Sequence, residues 1–231
     1  MIDAKPFIPE TGVDLRGAIA SFIQDNTGIV NPDTGYIFCG PLNHTVDPGL
    51  IGEMVKVTID RFINHLSEPP DLVIGVPARG KEFAFGLAGA LHLPYGVSDR
   101  RETVNCQQGI SAVYDLSSDA TIIRGIESFT QPGIRFDHIL RGVRPDTHTL
   151  LVADDFSAFG RVTSQYLSAL EPLGISPVFA YMVAKDFPFL NPPQVGYRTH
   201  RENGVPVFAV VRVTNMIGGQ GGTVIATAED I

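Results

Sequence analysis

Apolar residues in the first third of the chain recur at helical spacing. Leu15, Ile19, Phe22 and Ile23 share one face, and Asn26–Gly28 interrupt it, which predicts a helix ending there. A second helix is marked at its start by Asp47, whose side chain can accept from the first orphan amides, and by Pro48, whose fixed φ suits the first helical position. Leu50, Ile51, Met54, Val55, Ile59, Phe62, Ile63 and Leu66 then keep one face apolar. From Asp71 the pattern changes. Leu72–Val76 and Leu150–Ala153 are short, continuous apolar runs, followed by helical segments at about Glu82–Leu91 and Arg161–Leu173. Val178–Ala184 and Val205–Val213 supply further strands. Short apolar strands alternating with helices predict an α/β fold on a mostly parallel sheet. In such sheets ligands bind beyond the carboxyl ends of the strands, so the residues just after each strand carry the chemistry.

Between Ser98 and Asp146 the pattern decays into polar sequence that includes Arg100-Arg101-Glu102 and Ser117-Ser118-Asp119. So long a connection in a compact domain is expected to be a functional lid or a disordered segment, unless it hides a hairpin. Gly218–Gly222 reads as a flexible turn or linker without chemistry.

Composition narrows the options. With 231 residues, 44% of them apolar, one domain with a full core is expected across 1–231. A net charge of −8 gives no electrostatic footprint for nucleic acid, although a phosphate site needs only local amides and one or two cations. No apolar run reaches the roughly 20 residues that span a bilayer, and no basic-then-apolar leader opens the chain. Cys39 and Cys106 stand in no metal-binding or redox spacing, as expected of unpaired thiols in a reducing cytosol. The expectation is a soluble, cytoplasmic protein. The six histidines form no ligand cluster; His65, His92, His138, His148 and His200 read as surface or structural residues.

The strongest strand-end signal is Leu150–Leu170. A hydrophobic strand delivers two adjacent carboxylates, Asp154 and Asp155, and Gly160 then opens a helix. The turn Ala158, Phe159, Gly160, Arg161 and Val162 would present backbone amides at a helix N-terminus, which suits a phosphate monoester. Carboxylates beside a phosphate repel it unless a sugar or a metal intervenes, so the arrangement suggests a ribose phosphate. The same two acids would also serve simply to end a strand and cap a helix. A second strand-end site, Gly75–Glu82, contains Ala78, Arg79, Gly80 and Lys81 and is close to a phosphate-binding loop of nucleoside triphosphatases. That loop needs Ser or Thr after its lysine to hold magnesium, and Glu82 stands there instead. A plain strand-to-helix turn with surface cations is the simpler alternative.

The acid pair and its glycine loop resemble the phosphoribosyl-pyrophosphate motif of the type I phosphoribosyltransferases. The family's usual Thr-Gly-Gly-Thr loop is replaced here by Phe159, Gly160, Arg161 and Val162, and Asp154–Arg161 is more similar to the variant found in xanthine phosphoribosyltransferases. Leu42-Asn43-His44-Thr45-Val46-Asp47-Pro48 resembles their Leu-Asn-His-x-x-Asp-Pro segment, Lys185-Asp186-Phe187 their Lys-x-Phe, and Gly196-Tyr197-Arg198 a further Gly-Tyr-Arg stretch. The ordered set runs from about residue 36 to 213. The resemblance implies the type I fold, with a hood at about 30–48 and 184–215 and a lid at about 98–130. It implies transfer of a phosphoribosyl group to a 6-oxopurine, xanthine favoured, with release of pyrophosphate. Asp154 and Asp155 would hold the ribose hydroxyls, residues 158–162 the 5-phosphate and residues 78–81 the pyrophosphate. Tyr36, Asn43, Phe156 and Lys185 would meet the base. Magnesium would arrive on the pyrophosphate without a dedicated protein metal site, and a homodimer is implied. An adenine or orotate enzyme would share the fold but want different hood residues, and a non-catalytic regulator that binds phosphoribosyl pyrophosphate could retain the ribose-phosphate site without catalysis.

Overall fold

The computed structural model describes residues 6–8, 14–43, 46–77, 80–103, 109–127, 134–218 and 222–228. The chain begins with α1 (Leu15–Asp25), the antiparallel strands β1 (Thr27–Asn31) and β2 (Tyr36–Cys39), the short α2 (Gly40–Asn43) and α3 (Pro48–Arg61). Next come β3 (Leu72–Gly75), α4 (Lys81–Leu91) and β4 (Tyr95–Gly96). Four strands follow in sequence, β5 (Ser98–Thr103), β6 (Ser111–Asp115), β7 (Ala120–Glu127) and β8 (Arg135–Arg141). Then come β9 (Thr149–Ser157), α5 (Arg161–Leu170), β10 (Ser176–Lys185), α6 (Gly196–Glu202), β11 (Val207–Ile217) and β12 (Thr223–Thr227).

The chain divides into two compact units. The first comprises Met1–Leu66, Asp155–Gly160 and Ala180–Ile231; the second comprises Ser67–Asp154 and Arg161–Phe179. Both segments expected to form a hood, 30–48 and 184–215, fall in the first unit.

The main sheet has strand order β12-β11-β10-β9-β3-β4. β3 runs parallel to β4 and to β9, in register from Leu72↔Leu150 to Gly75↔Ala153, and β12 pairs antiparallel with β11. Every residue of β3 is buried, which is why it reads as a continuous apolar run: a parallel strand is covered on both faces. This is the expected α/β architecture. β9 and β10 each continue from the second unit into the first.

The polar stretch after Ser98 is not a loop. β5, β8, β7 and β6 pair in that order as an antiparallel sheet. Of the region expected as a lid, 98–130, residues 98–103, 111–115 and 120–127 are strand, while 104–108 and 128–130 lie outside the described residues. β5 and β6, the two edges, show little apolar pattern; β7 and β8 between them do carry buried residues, and the sequence reading missed them. The charged run Asp99–Glu102 sits on an edge strand, where charge discourages pairing with another chain. α5 packs against β6 and β7, and the fully buried Tyr166 meets His138 of β8, with Oη and Nδ1 2.9 Å apart.

In the first unit, the Asp47 side chain caps α3 as the sequence suggests, accepting from Gly49 N–H at 2.8 Å and Leu50 N–H at 3.1 Å. α3 stops at Arg61, followed by a 3-10 turn over Ile63–His65; α5 likewise stops at Leu170 before a 3-10 turn over Glu171–Leu173. The apolar face of α1 docks on β11 and β12. The buried Arg16 fixes it there by donating to the carbonyls of Ala209 and Val210.

Candidate active site

In the second unit the end of β3 turns sharply. A Cβ on Gly75 would lie 2.6 Å from the backbone of Gly80 and Lys81, and a Cβ on Gly80 would lie 2.3 Å from the Ala153 carbonyl oxygen and 2.9 Å from Asp154 Cα. The two glycines therefore exist so that this loop can fold back against the end of β9. The Val76 N–H closes the turn on the Ala153 carbonyl at 2.8 Å. The triphosphatase-like glycine spacing thus has a packing cause that holds whatever the loop binds. Ala78 and Arg79 lie outside the described residues. Lys81 opens α4, and its ammonium lies 3.4 Å from Asp99, which also takes Arg141. Those contacts, Arg141 foremost, hold the Asp99 carboxyl below its ordinary range.

Asp154 and Asp155 sit near the end of β9 in different surroundings. Asp154 is 8% exposed and belongs to the second unit, whereas Asp155 is half-buried and belongs to the first. Asp155 accepts the Phe156 N–H at 2.9 Å. Beyond it, Ala158 and Phe159 are half-buried and Gly160 is buried with φ +70°, a left-handed conformation that glycine adopts without strain. α5 then begins at Arg161, which is exposed, with Val162 half-buried in its first turn. The sequence expectation of a turn leading straight into a helix start at 158–162 matches this geometry.

Also in the first unit, Lys185 ends β10. Its ammonium donates to the Gly35 carbonyl at 3.1 Å and lies 5.3 Å from the centre of the Phe156 ring and 5.9 Å from that of Tyr36. Burial pulls its pKa down from 10.5 to about 8, and the Asp155 charge pushes the other way. The structure thus brings together Tyr36, Phe156 and Lys185, three of the four residues assigned to a base. The fourth, Asn43, accepts the Cys39 N–H on Oδ1 at 2.7 Å. That bond fixes the amide's orientation, and the group Asn43 can still offer is the Nδ2 donor.

Three features here escaped the sequence reading. Gly196 and His200 of α6 lie against the 158–160 loop: the Gly196 N–H donates to the Ala158 carbonyl at 2.9 Å, and His200 Nε2 lies 2.9 Å from the Gly160 carbonyl. Asp186, 2% exposed, pairs with both Arg198 and Arg212. Gln194, also 2% exposed, donates to the Thr34 carbonyl and so packs under the β1–β2 turn that carries Gly35. Asp186, Gly196 and Arg198 lie in segments that carry the resemblance, but their partners lie 12 to 160 residues away in sequence and no local pattern marks those contacts. Among the described residues, no group of three or more His, Cys, Asp or Glu side chains is placed to hold a metal ion, and no helix is long and apolar enough to cross a membrane.

No family model matches the chain. Among characterised proteins it is similar to the xanthine phosphoribosyltransferase of Listeria innocua serovar 6a, with 25% identity over 205 residues, 86% of this chain and 93% of that protein. Among solved structures it is similar to the adenine phosphoribosyltransferase of Trypanosoma brucei, with a TM-score of 0.58 at 16% identity over 88% of this chain and 81% of that one. The chain has the type I phosphoribosyltransferase fold. The adenine phosphoribosyltransferases of Giardia lamblia (TM-score 0.56, 14% identity, 84% of this chain and 97% of that one) and Thermoanaerobacter pseudethanolicus (0.54, 15%, 84% and 99%) share it. The phosphoribosyltransferase resemblance first seen in the acid pair therefore extends over most of the chain.

Proposed function

We propose that this phosphoribosyltransferase transfers the phosphoribosyl group of phosphoribosyl pyrophosphate to a 6-oxopurine, with xanthine favoured. The coarser statement, an enzyme of this class acting on a purine base, rests on the fold together with the similarity to the Listeria protein. The observation that carries the choice of base is Lys185. At pH 7 its ammonium is charged, and of its three donors one is used by the Gly35 carbonyl. The others suit the exocyclic oxygen of a 6-oxopurine, whereas adenine would set an amino donor against them. Leaving such a group unpaired costs on the order of 1–3 kcal/mol, about five- to 150-fold in preference. Asn43 adds the second discrimination. With Oδ1 held by Cys39, its Nδ2 suits the 2-oxygen of xanthine rather than the 2-amino group of guanine.

In the reaction, a ring nitrogen of the base attacks C1 of the ribose while the bond to pyrophosphate breaks and its electrons leave with that group. Positive charge grows on the sugar, and positioning with fixed charges lowers the barrier. Asp154 and Asp155 would hold the ribose hydroxyls and offset that charge, Asp155 being the more accessible of the two. Residues 158–162 would receive the 5-phosphate, and residues 78–81 the pyrophosphate. The hard oxygen donors of the acid pair fit magnesium, and with no cluster of three ligands among the described residues the ion would be held mainly by the pyrophosphate. Bound there, it would neutralise the leaving group.

The deciding experiment is turnover with phosphoribosyl pyrophosphate, magnesium and each of xanthine, guanine, hypoxanthine and adenine, for the native protein and Lys185→Ala. Preference for xanthine, and its loss in the variant, is expected. A native preference for adenine would overturn the base assignment, and no turnover with any base would leave a binding protein.

A further inference from the structure

The segment 158–160 has no charged or hydrogen-bonding side chain, so its shape must be imposed from outside. α6 does this. Gly196 and His200, four residues apart, share one face of the helix. Gly196 presses so closely on the loop that a Cβ there would come within 2.0 Å of Gly160 N and 2.2 Å of the Phe159 carbonyl carbon. One turn later His200 reaches the Gly160 carbonyl, at the residue whose φ is +70°. A carbonyl oxygen only accepts, so Nε2 carries the proton, and both the neutral Nε2–H tautomer and the imidazolium make this bond. Between these two residues Arg198 ties the helix to Asp186, at the end of β10, and Asp186 also binds Arg212 of β11. The helix is thus anchored to two strands while it grips the loop at two carbonyls.

We propose that His200 is a positioning residue that holds the 158–160 loop in the left-handed turn that receives the ribose 5-phosphate. It acts through the Gly160 carbonyl without touching substrate. The phosphate assignment rests on the function proposed above; the grip on the loop does not, and the two are tested separately.

The test compares His200→Ala with His200→Gln, whose amide nitrogen can donate to the same carbonyl. Hydrogen exchange in the free protein reads the grip: amides from Phe159 to Thr163 should exchange about five- to tenfold faster in the alanine variant and near the native rate in the glutamine variant, as loss of one hydrogen bond implies. Calorimetric titration with ribose 5-phosphate reads its purpose: affinity should fall by a similar factor in the alanine variant and recover in the glutamine variant, with KM for the base unchanged. If His200→Ala does not fold, His200→Leu keeps the bulk without the donor. Native exchange rates in the donor-less variant overturn the inference, as does a loosened loop with unchanged ribose 5-phosphate affinity. A native protein that binds no ribose 5-phosphate instead overturns the proposed function.

Discussion

Lys185 ties stability to chemistry in a way that can be measured. Burial holds its pKa at about 8 against an ordinary 10.5, so the folded protein disfavours the charged form. At about 1.4 kcal/mol per tenfold change in proton affinity, the charge costs about 3 kcal/mol at neutral pH. Below pH 8 the amine is charged in both folded and unfolded chains, and the whole cost is present. Between pH 8 and 10.5 the folded chain has lost a proton that the unfolded chain keeps, so stability rises with pH; above 10.5 the cost is gone. Lys185→Met keeps an unbranched side chain, one atom shorter, and removes the titration. Unfolding free energies of both proteins, measured in denaturant at pH 7, 9 and 10.5, cancel the groups they share. The native protein should gain about 3 kcal/mol relative to the variant across that range. In parallel, native kcat/KM for xanthine should fall above pH 8 as the donor loses its charge. A stability difference that stays constant from pH 7 to 10.5 would refute the reasoning.

Asp155→Asn removes a charge proposed to meet the ribose and should lower kcat by at least about tenfold, roughly 1.4 kcal/mol of barrier. It also removes the charge that raises the Lys185 pKa, so the alkaline limb of the pH profile should move to lower pH; a native kcat in this variant leaves the ribose role without support. His138 is buried with its pKa pulled to about 4, chiefly by desolvation, further by Arg100, and against the pull of Asp137. Its neutral form therefore loses stability as pH falls from 6.5 through 4, by up to about 3 kcal/mol, because the unfolded chain takes up a proton that the folded chain refuses. Urea unfolding at pH 7 and 4.5 should show that loss in the native protein and a smaller one in His138→Gln; equal losses would contradict it.

The sequence revealed those elements whose burial is complete or whose ends carry a chemical mark. β3 and the first half of β9 are covered on both faces, so each reads as an unbroken apolar run. Asp47 and Pro48 announce α3 because capping is a local interaction. β5 stayed hidden because its edge position carries the charged run Asp99–Glu102, β6 because it is a short, partly exposed edge, and β12, also an edge, because it follows a glycine-rich stretch that hides the approach of a strand. The candidate site divides in the same way. The acids, the loop glycine and Lys185 were legible because each directly follows or ends a strand, where α/β folds put their chemistry. The roles of Gly196 and His200 depend on contact with a loop about 40 residues earlier, and Asn43 showed its orientation only once Cys39 was seen to donate to it.

Arg16 donates to the carbonyls of Ala209 and Val210, and the side chain of Gln24 accepts from the amide of Ala226 at 3.2 Å. α1 is therefore seated by β11 and β12. During synthesis α1 and α3 leave the ribosome long before β11 exists, so their apolar faces have chiefly each other while roughly 150 residues are added, at a pace of about 5–20 residues per second. The second unit, whose segments end at Phe179, has all its parts earlier. Until β11 and β12 are made, Ile19, Ile23, Leu50 and Met54 lack the strands that help to cover them and stand open to chaperones or to aggregation, which makes the arrival of those strands a vulnerable step in making this protein.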